Sequence, residues 1–192
     1  MSIKIKSKQL TSGSETSGKT LITDGGGGFI YNYPIPKGTS FPLNPISGDT
    51  YYRTDVDELF YFDSSRNKWL TVKKTGLSSG RSTVNSVTTG YMYVGNAVQS
   101  STSGFKIPYN GTILSVSIQN TTTATANRTL DVRVNNSTVN RIQLTVTAPN
   151  TGASLTNGNL DFSAGDLIQC VLLSGGDTYS NIIVLIEVAR RI

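Results

Sequence analysis

Apolar and polar residues alternate strictly in several stretches of the C-terminal half. In TILSVSIQ, Leu114, Val116 and Ile118 fall on one side, and Ser115, Ser117 and Gln119 on the other. TLDVRVN repeats the pattern through Leu130, Val132 and Val134, and RIQLTVT through Ile142, Leu144 and Val146. A period of two sustained over such runs marks a half-buried strand. Strands are predicted at 83–88, 91–96, 104–107, 112–119, 129–135, 139–147, 159–162, 167–173 and 182–189. The turn signals YNGT, VNNS, APNTG, SAGD and SGGD separate them. Many short strands at this spacing predict an all-β jelly-roll sandwich over residues 76–192.

Two stretches break the alternation. DLIQCVLL and NIIVLIEV are apolar at consecutive positions. In the second, Ile182, Val184, Ile186 and Val188 share one face, and Ile183 and Leu185 the other. An antiparallel sandwich strand ordinarily turns one face to water. A second apolar face predicts a second cover, either another copy of the chain or, as the alternative, the chain's own loops.

Residues 47–75 are denser in aromatics. Tyr51, Tyr52, Leu59, Phe60, Tyr61, Phe62, Trp69 and Leu70 fall in three runs, divided by the turn-like RTDVDE and DSSRNK. They predict a small β-meander with strands near 50–53, 58–62 and 68–73. A unit this short cannot bury enough surface to stand alone. It needs threefold association or a neighbour to pack on. Residues 1–46 carry TSGSETSG, GGGG at 25–28, and prolines at 34, 36, 42 and 45. That composition builds no core of its own and predicts an extended arm, held by sister chains or another protein.

Composition narrows the function. Charged residues are only 15% of the chain, too few for long amphipathic helices. The net charge of +5 is spread thinly, and its one local run is Lys4, Lys6 and Lys8. That row suits a solvated strand edge or docking on an acidic surface, and it lacks the dense basic patch of a nucleic-acid binder. No apolar run is long enough for a membrane span, and MSIKIKSKQL has charges where a secretory leader would be apolar. The chain has no histidine, so Ser-His and Cys-His nucleophile arrangements cannot form. Cys170 lies in an apolar run and predicts a small buried hydrophobe. GGGG lacks the following Lys-Ser/Thr of a phosphate loop. Asp55, Asp57, Glu58 and Asp63 lack the ligand spacing of a calcium loop, and Asp55 and Asp57 are expected to bond turn backbone. No enzyme activity, cofactor or metal is expected.

The stretch TSGKTLITDGGGGFIYNY (16–33) resembles a short element, SGQVLTSDGSGGxxW, of phage tail-fibre and head-fibre proteins. Thr20, Leu21, Thr23, Asp24, Gly25 and Gly28 match, and Tyr31 sits near the usual tryptophan. GDTYYRTDVDELFYFDSSRNKWLTV (48–72) resembles the element GDxYYNTxTxxLYxYDGxxW of the same proteins. Gly48, Asp49, Tyr51, Tyr52, Thr54, Leu59, Tyr61, Asp63 and Trp69 match. Ser-Ser-Arg-Asn replaces the usual glycine turn. FKIPYNGTILSVSI (105–118) and LDFSAGDLIQCVL (160–172) look like parts of the trimeric, tumour-necrosis-factor-like jelly rolls of phage fibre heads.

The resemblance implies a homotrimer located in the virion, assembled in the host cytoplasm, with no intrinsic chemistry. The expected role is a capsid decoration protein or short head fibre. Lys4, Lys6, Lys8, Tyr31, Tyr33, Pro34 and Pro36 would attach it to the major capsid protein or another virion protein. Tyr61, Trp69, Ile182, Val184, Ile186 and Val188 would build the trimer or its core. The alternative is a receptor-binding tail-fibre tip touching host glycans through loops 97–104, 120–128 and 148–158, with Tyr109 and Tyr179 as the nearby stacking rings.

Overall fold

Strand geometry appears almost wherever the alternation predicts it. The structure, a computed structural model, describes residues 20–23, 29–32, 35–85, 88–175 and 178–192. Among them there is no helix. The first strands in chain order are β1 (Thr20–Thr23), β2 (Phe29–Asn32), β3 (Lys37–Gly38), β4 (Thr50–Arg53), β5 (Glu58–Asp63) and β6 (Lys68–Val84). Next come β7 (Gly90–Tyr91), β8 (Tyr93–Val94), β9 (Ala97–Val98), β10 (Phe105–Lys106), β11 (Gly111–Gln119) and β12 (Arg128–Val134). The last are β13 (Arg141–Val146), β14 (Gly152–Leu155), β15 (Leu160–Phe162), β16 (Leu167–Leu172) and β17 (Tyr179–Arg191).

Two sheets form the sandwich. One runs β14-β11-β17-β6, with β15 beside β11 and the short β8-β9 ribbon against β6. The other runs β10-β16-β12-β13, with β7 also on β16. The chain crosses between sheets after β6, β7, β9, β10, β11, β13, β15 and β16. The core lies between them. Val116, Ile118, Ile182, Val184, Ile186 and Val188 from one sheet meet Leu130, Val132, Leu144, Ile168, Cys170 and Leu172 from the other.

Three departures from the simple alternation have physical causes. A β-bulge lies between Ile113 and Ser115, where the register with β17 shifts by one residue. It moves Leu114 out of the row predicted for it. Ile113 joins Val116 and Ile118 in the main core, and Leu114 packs instead with Leu70 and Ala189, under the half-buried Tyr61. Residues 91–96 are not one strand: the chain changes sheets at Met92, with β7 pairing β16 and β8 pairing β6 and β9, and Gly95, at φ +57°, turns β8 into β9. The polar run 74–82, between the strands predicted at 68–73 and 83–88, is also strand, and β6 ends at Val84.

β6 sets the architecture. Its first residues pair with β5, from Phe60↔Thr71 to Asp63↔Lys68. Its remainder pairs with β17, from Lys74↔Ala189 to Val84↔Tyr179. The meander of β3, β4 and β5 is therefore continuous with the sandwich, and the neighbour it needs is its own chain. Polar contacts bolt the seam. Arg66 Nε donates to the Gly158 carbonyl at 2.6 Å, and Lys68 Nζ to Asn159 and Asp161 at 2.6 Å each. Arg190 pairs with Glu58 at 3.1 Å.

Part of the arm is also held by its own chain. β3 runs parallel to β4, and the carbonyls of Pro36 and Gly38 accept the amides of Tyr52 and Thr54 at 2.9 and 3.0 Å. Phe41 stacks on Trp69, ring centroids 4.6 Å apart and 2° from parallel, and meets Phe60 edge-on. The Ser-Ser-Arg-Asn turn closes with Asn67 at φ +54°, where asparagine takes the left-handed place a glycine would fill. Asp63 caps that turn, accepting from Ser65 and from the amide of Arg66.

Candidate functional site

Among the described residues, two apolar surfaces stay uncovered. The first is the outer face of the β11-β17-β6 sheet. On β17, Ile182, Val184, Ile186 and Val188 point into the core, so Ile183 and Leu185 point out, 55% and 53% exposed. Most of the residues beside them are small, Gln119 excepted. Register sets Leu185 between Ser117 and Ser78, Ile183 between Gln119 and Gly80, and Glu187 between Ser115 and Gly76. The result is an aliphatic ridge with two shallow troughs, one across its Glu187 end and one along its β6 side. One trough is lined by Lys74, Gly76, Ser115 and Ser117, the other by Ser78, Gly80, Tyr93 and Gly95. Lys74 and Glu187 pair at 3.3 Å at the lower end of the ridge.

The second surface lies on the meander. The loop after Phe41 carries Leu43, 96% exposed, and Ile46, 70% exposed. With Phe62, Asn67 and Trp69 it bounds an open groove. A neighbouring depression is lined by Ile35, Pro42, Gly48 and Tyr51. Arg53 lies 4.7 Å from the Phe41 ring centre and bonds Asp55 through two nitrogens at 2.8 and 2.7 Å.

The residues singled out from sequence scatter between these surfaces and the interior. Ile182, Val184, Ile186 and Val188 belong to the chain's own core. Trp69 is the buried floor of the groove, and Tyr61 covers the seam beside Leu70. Pro36 is exposed. Tyr31 lies in β2 opposite Leu21. Lys4, Lys6, Lys8, Tyr33 and Pro34 lie outside the described residues. Sequence reasoning missed Leu43, Ile46 and Phe41, because a proline-rich stretch gives no periodicity to read. The exposed side of β17 was the one strong signal.

Other expectations change. Tyr179 is no surface ring: it is fully buried, 5.6 Å under the Arg128 guanidinium. Tyr109 is half-buried, lies near Arg190 and hydrogen-bonds Thr75. Loops 97–104 and 148–158 contain strands β9 and β14. The meander carboxylates face separate partners, Asp55 on Arg53, Asp57 on the Tyr52 hydroxyl, Glu58 on Arg190 and Asp63 on Arg66. Side chains rather than turn backbone are thus the main partners of Asp55 and Asp57. The Arg53 hydrogen bonds hold the Asp55 carboxyl below the usual carboxylate range. Burial pushes the Cys170 thiol up to about 12.

No family model matches the sequence, and no curated protein sequence matches it. Among solved structures, the PRD1 vertex protein P5 is similar at 16% identity, over 79% of this chain and 86% of that chain, with a TM-score of 0.41. A likeness that low carries no argument about role. The reading below rests on the chain's own residues.

Proposed function

We propose that the chain is a non-catalytic structural protein of a bacteriophage particle, assembled as a homotrimer and bound to the capsid shell through its N-terminal arm. The fibre-like elements at 16–33 and 48–72 support the virion part. The trimer part rests on one observation, the aliphatic ridge of Ile183 and Leu185, which no described residue of its own chain covers. Such a patch ordinarily marks an interface. A ridge flanked by serine and glycine troughs fits the same relief on a second copy, and small residues let two sheets approach closely. In this reading the sandwich projects outward and the meander lies nearer the shell. The tail-fibre alternative is weakened by the burial of Tyr179, one of the two rings it required.

Light scattering of the full chain tests the assembly. The expected mass is three times the 20.6 kDa of one chain. Leu185→Asp should give a folded monomer with an unchanged far-ultraviolet spectrum. A monomeric unmutated chain overturns the proposal. Deleting residues 1–34, a cut placed before the Phe41 loop so that the meander survives, should abolish particle binding. Undiminished binding would remove the arm's role.

A further inference from the structure

We infer that each copy receives its neighbour's aliphatic ridge in the trough between β6 and the β8–β9 ribbon, so that Ile183 of one copy meets Val98 of the next. The inference rests on the assembly of copies proposed above. It starts from size. A stable contact between chains engages about 800 Å² and roughly 20–30 residues a side, and a ridge of two side chains falls far short of that. The contact has to spread from Ile183 and Leu185 in some direction, and the register of the sheet decides which.

Strand pairing sets one row of residues across the outer face: Gly152, Gln119, Ile183, Gly80, Tyr93 and Val98. Toward β11 and β14 the outward residues are Gln119, Ser117 and Ser154, with no exposed aliphatic among them. At the Glu187 end lies the Lys74–Glu187 pair, and taking two ions out of water is costly. Toward β6 the apolar surface continues, past Gly80 to Tyr93 and on to Val98, 52% exposed. The ribbon is pinned from within. Met92 and Gln99 are buried, the Met92 amide donates to the Cys170 carbonyl at 3.0 Å, and Gln99 accepts the Cys170 amide at 2.7 Å. Alternation then turns their chain neighbours, Tyr93 and Val98, outward.

That side is also concave and cannot fill itself. A Cβ at Gly80 would stand 2.6 Å from the Ile182 carbonyl oxygen, so the strand admits no side chain at the floor of the trough. Arg81, 5.3 Å from the Tyr93 ring centre, donates to the carbonyls of Thr83 and Tyr91 at 3.1 and 2.8 Å, so its charge is engaged within the chain. A ring of three needs two different surfaces on each chain, one meeting the other, because a patch that meets its own copy joins chains only in twos. The ridge is one such surface. The trough, beside it on the same face, is the other. Each chain then gives its ridge to one neighbour and receives the ridge of the next.

Two charge variants of the full chain test the direction. Val98→Asp should fall from trimer to single-chain mass by light scattering, with an unchanged far-ultraviolet spectrum. Ser154→Asp, on the other side of the ridge, should stay trimeric. A Val98→Asp trimer as tight as the parent, or dissociation of Ser154→Asp, overturns the inference and leaves the assembly reading intact. Disulfide trapping tests the contact itself, in a double variant Ile183→Cys, Val98→Cys. Within one chain these positions are three strand spacings apart, about 14 Å, beyond what a disulfide spans. Cys170 is buried and serves as the unreactive internal control. Mild oxidation should therefore join chains, giving covalent dimers and trimers on a non-reducing denaturing gel. Ile183→Cys alone cross-linking as fully as the pair would mean that ridge meets ridge and overturns the inference. So would the absence of any cross-link in a double variant that scatters light as a trimer. An unmutated chain that is monomeric by light scattering would end both readings.

Discussion

An Arg128→Met chain keeps the aliphatic stem of that side chain and loses its guanidinium. Arg128 is 2% exposed, and among the described residues its guanidinium donates to four backbone carbonyls: Nε to Leu173 at 2.9 Å, Nη1 to Val84 at 2.7 Å, and Nη2 to Asn85 and Thr88 at 2.8 and 2.9 Å. Asn85 and Thr88 are exposed, so their carbonyls regain water in the variant. Val84 is buried and Leu173 half-buried, and their carbonyls lose a charged donor with little to replace it. Each orphaned buried acceptor costs about 1–3 kcal/mol. Part of that sum is returned, because no cation has to be desolvated. A net loss of about 2–4 kcal/mol follows, or a fall in Tm of roughly 5–15 °C for a chain of this length. Arg128→Lys is the sharper comparison. An ammonium remains in the same buried place but cannot present a planar fork to four carbonyls. It should therefore destabilise at least as much as methionine, the reverse of what charge conservation suggests. Urea unfolding followed by circular dichroism, at one fixed protein concentration, measures both. A lysine variant as stable as the parent, or a methionine variant within about 1 kcal/mol of it, would refute the reasoning.

Gln99 closes an open stretch of the β16 edge by accepting the Cys170 amide at 2.7 Å. Gln99→Ala should cost about 1–3 kcal/mol in the same unfolding assay. The Cys170 thiol, fully buried and pushed up to about 12, should not react with a thiol reagent near pH 8 until the chain unfolds. Burial raises the Asp161 carboxyl, but hydrogen bonds from Lys68 and Thr112 and the charge of Arg191 outweigh it and hold it below the ordinary range. A depressed carboxylate contributes stability that is present above its unfolded value of about 4 and is lost as pH falls through the folded value. Acid should therefore loosen the seam between meander and sandwich, and Asp161→Asn should flatten that acid limb in Trp69 fluorescence.

The sandwich was legible because burial on one face of a strand writes period two into the sequence. β11, β12 and β13 lie within a few residues of where that period put them, and β16 and β17 within a few residues of the two continuous apolar runs. What escaped was structure whose cause lies elsewhere in the chain. The second half of β6 is KTGLSSGRST, without alternation, and is strand because β17 supplies its ladder. Leu114 reads as core by spacing, and only the bulge against β17 turns it to the seam. Phe41 sits among prolines, and nothing local announces that Trp69 lies beneath it. Of the candidate surfaces, Ile183 and Leu185 were visible as a broken pattern. Leu43 and Ile46 were not, since an isolated aliphatic in a loop is common and needs a three-dimensional neighbour to mean anything.

The undivided seventeen-residue β6 has a mechanical corollary. At about 3.3 Å per residue it is a rod of roughly 56 Å. One half is laced to β5 and the other to β17, and the two ladders overlap at Leu70, which pairs with both Tyr61 and Arg191, across the register shift that follows Ala189. Torque applied at the foot is carried to the far end as rotation of the whole body. In the proposed assembly, a surface that grips the aromatic base would therefore also set the compass heading of the distal loops, and a change of tilt there would become a proportionally larger sweep at the far end.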